Sequence, residues 1–102
     1  GWSRHWGTDR YGEQGHPYLT AAAAEALVGG GATLVGIDSV NIDGTHTGER
    51  PVHTILLAAE IPIIEHLTSL ETLPAEGFDF FAVPQRVEGM GTFPVRSSAM
   101  VR

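Results

Sequence analysis

The 102-residue sequence contains no cysteine and no lysine, so all six of its basic residues are arginine. The lack of cysteine excludes disulfides, thiol redox chemistry and thiolate metal sites. Twelve acidic side chains against the six basic ones give a formal net charge of −6, which disfavours binding to the phosphates of nucleic acids or anionic lipids. We therefore expect neither nucleic acid nor a membrane as a partner.

Long apolar runs are also missing. The two longest, residues 20–28 and 55–67, are short or interrupted by charged residues and proline, whereas a membrane helix needs about 20 apolar residues. No signal peptide is recognisable, and we expect a soluble, cytoplasmic protein. Because the chain begins at Gly1 and Trp2 without an initiator methionine, we also expect it to be a piece of a longer protein.

The order of the predicted elements indicates an α/β protein. An alanine-rich run after Thr20 predicts a helix over residues 21–28 that ends at the glycines 29–31. Residues 33–38 predict a buried strand, and the polar residues 39–50 predict a loop at its end. A second helix is predicted over residues 52–59, with Pro51 in its first turn. Further strands are predicted at 61–66, 78–83 and 93–100, whereas residues 1–19 show no period and predict a loop.

Two polar residues fall on apolar faces of these elements. His53 is three and four residues from Leu56 and Leu57 on the predicted helix. On the predicted strand, the two-residue period puts Glu65 on the same face as Ile61, Ile63 and Leu67. One hypothesis is that both side chains converge on a divalent cation. The other is a hydrogen-bonded core histidine and a glutamate at a strand end, and the pattern alone favours this second reading.

Two segments carry a family resemblance. The run RPVHTILL at 50–57, followed by IPIIEHL at 61–67, resembles the C-terminal half of the cyclase family of metal-dependent hydrolases, which includes bacterial kynurenine formamidase and isatin hydrolase. The early aromatic residues, HPYL at 16–19, VGID at 35–38 and PVR at 94–96 resemble the same half in the same order. The resemblance therefore spans essentially the whole chain.

The resemblance implies a swivelling β/β/α fold, with a layered mixed sheet and helices, of which residues 1–102 form a single domain or the C-terminal half-domain. It implies that His53 and Glu65 are ligands of zinc or manganese, present as one or two ions. The implied activity is hydrolysis of a non-peptide C–N bond, in an aromatic formamide such as that of tryptophan catabolism or in a cyclic amide, by metal-activated water. The family is often dimeric, so a homo-oligomer is expected.

One motif of the family is missing here. In the family, the motif His-x-Gly-Thr-His-x-Asp-x-Pro-x-His supplies the remaining ligands and a histidine base. Residues 44–53 are similar to part of this motif, but Gly48 stands at the place of the aspartate. Ile42, two residues before this run, stands at the place of the first histidine. The base and the other ligands are thus expected in an N-terminal half or a second polypeptide, and this chain alone is expected to be incomplete. The alternative is a non-catalytic remnant or interaction module that keeps the fold.

The resemblance also suggests substrate-binding residues. Trp2 and Trp6 are candidates for an aromatic substrate pocket, although ordinary packing explains two tryptophans equally well. His46 is expected to be exposed or adjacent to the substrate. Asp38 and Asp43 border the candidate site but are more typical of capping or solvated residues.

Overall fold

The computed structural model describes all residues 1–102 and divides into two compact units, residues 1–70 and residues 71–102. The helices and strands of the first unit are α1 (Ala21–Gly29), β1 (Val35–Gly36), α2 (Pro51–Ala58) and β2 (Ile63–Ile64), preceded by 3-10 helices at Trp2–His5 and Asp9–Gly12. A third 3-10 helix is formed by Leu70–Thr72, and the second unit contains β3 (Phe78–Ala82) and β4 (Ser97–Val101). The chain is an α/β protein, as predicted.

Helix α1 forms where the sequence predicts it. The Thr20 hydroxyl accepts a hydrogen bond of 3.1 Å from the Ala23 amide, which satisfies one of the free N–H groups of the first turn. The chain leaves the helix at the glycines, where Gly31 adopts a φ of +80° that L side chains disfavour. Both predicted ends of the helix are confirmed.

Helix α2 begins at Pro51, one residue before the predicted start. The residue before the helix, Arg50, makes no side-chain cap. Instead the carboxylate of Asp43 accepts hydrogen bonds from the amides of Val52 and His53, at 2.8 and 2.9 Å. The capping role expected for Asp43 is confirmed, because the loop brings this aspartate back to the first turn of α2.

The core of the first unit lies between the two helices and β1. Its buried apolar side chains are Ala24, Val35, Ile42, Val52, Leu56 and Ile61. Of the two leucines expected to face the core on α2, Leu56 is fully buried whereas Leu57 is 56% exposed. The core-facing stripe of α2 therefore passes through Val52 and Leu56, which are four residues apart, and His53 lies at its edge.

Strands β1 and β2 pair in parallel over only two positions, Val35 with Ile63 and Gly36 with Ile64. Both are shorter than the predicted strands, 33–38 and 61–66. On one side Pro62 has no N–H to extend the ladder, and on the other His66 adopts a φ of +63° that takes the backbone out of the extended region. The strand pairing therefore ends at Ile64, and Glu65 is the first residue after β2.

The second unit is an antiparallel pair of strands, β3 and β4, in which five residue pairs run from Phe78 with Val101 to Ala82 with Ser97. The strand predicted at 78–83 is confirmed, and the last strand is displaced toward the C-terminus. The two sheets of the chain are separate, which differs from the mixed sheet implied by the resemblance.

None of the helices is long and apolar enough to cross a membrane.

The two leucines of α2 test this core directly. We expect Leu56→Ala to lower the free energy of unfolding by about 2–5 kcal/mol, because it leaves a cavity between the helices. Leu57→Ala removes an exposed side chain of the same size and serves as the control, with an expected change within about 0.5 kcal/mol. Urea unfolding followed by circular dichroism measures both, and equal effects would contradict the helix orientation.

Candidate functional site

The first turn of α2 and the end of β2 bring His53 and Glu65 together. The Nε2 atom of His53 lies 3.6 Å from Oε2 of Glu65. Both side chains are partly buried. The structure thus places side by side the two residues that the sequence singled out as candidate metal ligands.

The orientation of the His53 ring follows from its hydrogen bonds. Its Nδ1 lies 2.7 Å from Oδ2 of Asp43, and because the carboxylate accepts, Nδ1 carries the proton. The other nitrogen, Nε2, then holds the lone pair, and the guanidinium of Arg50 donates to it at 3.0 Å. The ring is therefore held in the tautomer whose Nε2 can bind a cation.

Glu65 is held by the same loop that orients His53. Its Oε2 accepts a hydrogen bond of 2.6 Å from the amide of Ile42, and the next residue of the loop is Asp43. Adjacent residues of one loop thus fix the carboxylate of Glu65 and the imidazole of His53.

Asp43 is almost completely buried, with 1% of its surface exposed. Burial acts to raise the pKa of this carboxyl, but the amides of His53 and Val52 and the imidazole of His53 outweigh it and lower the pKa below its usual value. Asp43 therefore stays ionised while buried. Its contact with the His53 ring was not foreseen from the sequence, because residues ten apart across a loop share no helical or strand period.

These donors fit part of a metal site. An imidazole nitrogen and a carboxylate oxygen suit zinc or manganese, and the Asp43–His53 pair has the arrangement of an outer carboxylate that orients a metal-binding histidine. No group of three or more His, Cys, Asp or Glu side chains is arranged to hold a metal ion, since Asp43 contacts the opposite nitrogen of the ring. The chain thus brings two donors together, whereas a catalytic zinc typically has three protein ligands.

Arg50, the residue before α2, is exposed. Its hydrogen bond to Nε2 of His53 nevertheless places a positive charge where a metal would bind. A cation that binds His53 must therefore displace this guanidinium.

The two candidate tryptophans differ in their surroundings. Trp2 is half-buried, donates from Nε1 to the carbonyl of Tyr11 at 3.0 Å and has Arg10 over its ring at 5.7 Å. These contacts match ordinary packing at the start of the chain. Trp6 is 57% exposed and contacts Tyr11 and His66 edge-on, with ring centroids 5.0 and 5.9 Å apart.

His46 is exposed, as expected. The ring of His46 packs on that of Tyr18, with centroids 5.6 Å apart. The same imidazole lies so close to Gly44 that a Cβ added at position 44 would be 2.6 Å from it. None of these contacts involves His53 or Glu65.

Asp38 has a capping role that parallels that of Asp43. It accepts a hydrogen bond of 3.2 Å from the amide of Ser3, at the first 3-10 helix. Burial acts to raise the pKa of Asp38, but the hydrogen bonds from Ser3, the terminal amine and Trp2 lower it overall.

His16, part of the HPYL run at 16–19, is almost completely buried. Its Nδ1 lies 2.9 Å from the Pro17 carbonyl and 3.1 Å from the Ser39 hydroxyl, and its Nε2 lies 3.2 Å from the Thr45 hydroxyl. His16 thus connects both ends of the segment that carries Ile42 and Asp43. The sequence offers no periodic signal for this network.

Comparisons with known proteins agree with the resemblance. Residues 1–44 match the family model Cyclase, described as "Putative cyclase", a match that ends before His53 and Glu65. A kynurenine formamidase from Sphingopyxis alaskensis is 31% identical over 82 residues, which cover 78% of this chain and 39% of the relative. The chain thus spans about two fifths of the length of that relative. No solved structure matches the chain.

The family match and the relative together extend over most of the chain, in agreement with the motifs read from the sequence. The chain is thus similar to the cyclase family over residues 1–44 and to a kynurenine formamidase over 78% of its length.

Proposed function

We propose that this chain contributes two ligands, His53 and Glu65, to the divalent-metal centre of a formamidase-type hydrolase. The observation that carries the proposal is the 3.6 Å approach of His53 Nε2 to Glu65 Oε2, with Nδ1 of the same ring held by Asp43. The remaining ligands and the base come from a further segment or a second polypeptide.

The proposed reaction is hydrolysis of the C–N bond of an aromatic formamide. A zinc or manganese ion, when bound, polarises the carbonyl and lowers the pKa of a water. The residues of this chain keep His53 in the binding tautomer, hold Glu65 beside it and present an exposed indole, that of Trp6. The relative's name, kynurenine formamidase, supports this substrate class.

The comparisons do not favour a non-catalytic remnant. The curated relative bears the name of an enzyme, and the two candidate ligands lie 3.6 Å apart in this chain.

Metal affinity is the direct test of His53 and Glu65. We expect Mn²⁺ to broaden the NMR signals of both side chains, and we expect His53→Ala and Glu65→Gln each to weaken Zn²⁺ binding by at least about tenfold in calorimetry. His46→Ala removes an exposed histidine and should leave the affinity unchanged. Equal losses in all three variants, or broadening centred on His46, would contradict the assignment.

Asp43→Asn tests the tautomer of His53. The asparagine oxygen can still accept from the Val52 amide, but the NH₂ group then replaces the oxygen that accepts from both the amide and Nδ1 of His53. This favours moving the ring proton to Nε2, which removes the metal-binding lone pair. We expect the tautomer change in ¹⁵N NMR of the histidine ring and Zn²⁺ binding about 10–100-fold weaker. Asp38→Asn alters a capping aspartate away from His53 and is the matched control. An unchanged ring spectrum in Asp43→Asn would refute the proposed orientation.

Activity is tested on the protein isolated together with any polypeptide bound to it. Native mass spectrometry should show divalent ions in that complex, and the complex should release formate from formanilide. Chelation should abolish the reaction because it removes the metal, and His53→Ala should lower the rate because it removes one of the ligands. Formate release that persists in EDTA would exclude a metal-dependent mechanism.

A further inference from the structure

Residues 39–45, the loop that carries Ile42 and Asp43, belong to no helix or strand. Ser39 lies at one end of this loop and Thr45 at the other, and His16 contacts the hydroxyls of both. His16 and Ser39 are almost completely buried, whereas Thr45 is exposed. The proposed function gives no role to His16, although a buried imidazole is costly unless its polar atoms are hydrogen-bonded.

The partners of His16 fix the direction of its hydrogen bonds. The carbonyl of Pro17, 2.9 Å from Nδ1, can only accept, so Nδ1 carries a hydrogen. The Ser39 hydroxyl donates its own hydrogen to the same carbonyl at 2.8 Å, which leaves its oxygen to accept from Nδ1 at 3.1 Å. In the neutral ring Nε2 then accepts, and the Thr45 hydroxyl donates to it at 3.2 Å. One imidazole thus joins the two ends of the loop.

The Ser39 end of the loop leads to Glu65. The Ser39 carbonyl accepts at 2.9 Å from the amide of His66, the residue that follows Glu65. Ile42, in the middle of the loop, donates from its amide to Oε2 of Glu65 at 2.6 Å. The carboxylate of Glu65 and the backbone next to it are therefore both held by residues 39–45.

The Thr45 end of the loop leads to His53. Thr45 is two residues after Asp43, whose carboxylate contacts Nδ1 of His53 and accepts from the first turn of α2. A shift of Thr45 away from His16 therefore moves the backbone that presents Asp43 to the ring. The two ends of the loop thus lead from His16 to both candidate ligands.

We propose that His16 is a positioning residue for the His53–Glu65 pair. By holding Ser39 and Thr45, it fixes the distance between the two candidate ligands and with it their joint affinity for a divalent cation. Its own hydrogen bonds go to neither ligand. The inference rests on the proposed function for the role of the metal, whereas the effect of His16 on the His53 ring is independent of any metal.

Thr45→Val is the main test, because valine resembles threonine in shape but lacks the hydroxyl that donates to His16. In the metal-free chain, at a pH at which the ring is neutral, we expect a smaller fraction of His53 protonated at Nδ1 in ¹⁵N NMR. In calorimetry we expect Zn²⁺ binding about three- to tenfold weaker, a smaller loss than for a group that contacts a ligand directly. Thr45→Ser keeps the hydroxyl and should restore both values.

A double-mutant cycle shows whether the effect runs through the contact of His16 with Thr45. His16→Asn keeps an N–H for the Pro17 carbonyl but is too short to reach Thr45. We expect His16→Asn combined with Thr45→Val to weaken Zn²⁺ binding no more than His16→Asn alone, because both changes break one contact. Losses that multiply in the double variant would contradict a role through Thr45.

Two controls separate positioning from a general loss of stability. Thr47→Val removes another exposed hydroxyl, which accepts from the Glu49 amide at 3.3 Å, and should change neither measurement. Leu27→Ala shortens an apolar side chain packed on the core, so it should lower the free energy of unfolding without weakening Zn²⁺ binding to the folded chain. A loss of affinity in Leu27→Ala equal to that in Thr45→Val would overturn the proposal.

The two measurements also separate this proposal from the proposed function. If the unaltered chain binds no Zn²⁺, the proposed function fails, and the His53 spectrum of the metal-free chain decides the role of His16. If Zn²⁺ binds through His53 and Glu65 while Thr45→Val leaves both the affinity and the spectrum unchanged, the positioning role fails and the two ligands stand.

Discussion

The carboxylate of Asp43 is the interaction on which the site depends. It is buried and ionised, which is costly unless every lone pair that faces the protein is satisfied. The amides of Val52 and His53 and the Nδ1–H of His53 supply that compensation. Because one oxygen serves both a helix amide and a ring nitrogen, the start of α2 and the orientation of His53 are a single structural feature.

The position of Asp43 depends in turn on its loop, which is anchored in the core and by the side chain of His16. Its neighbour Ile42 is fully buried in the core and accepts from the Leu19 amide at 2.9 Å. His16 fixes the two ends of the loop through Ser39 and Thr45. The parallel sheet contributes only two residue pairs, so the geometry of the site rests more on these side-chain anchors than on a strand ladder.

The sequence predicts the parts of this structure that depend on local pattern. The capped helix after Thr20, the proline at the start of α2 and the inward positions of His53 and Glu65 all follow from spacing and residue type. The contacts of Asp43 with His53 and of Tyr11 with His66 join segments 10 and 55 residues apart, and no period links them. The strand predicted at 61–66 is present but is shorter, Ile63–Ile64, because Pro62 has no N–H for the ladder and because nothing local marks the left-handed turn at His66.

Charge also explains why this arrangement suits a cation. The ring of His53 lies between the carboxylates of Asp43 and Glu65, and the only guanidinium in contact with it is that of Arg50. Two carboxylates and one guanidinium leave a local excess of negative charge, and in the metal centre proposed above this excess would favour a divalent ion over the single charge of Arg50. Arg50 is exposed, so its side chain can return to water when it leaves Nε2. The buried carboxylate that orients the ring stays in place during such an exchange, because the helix amides hold it independently of what binds the far side of His53.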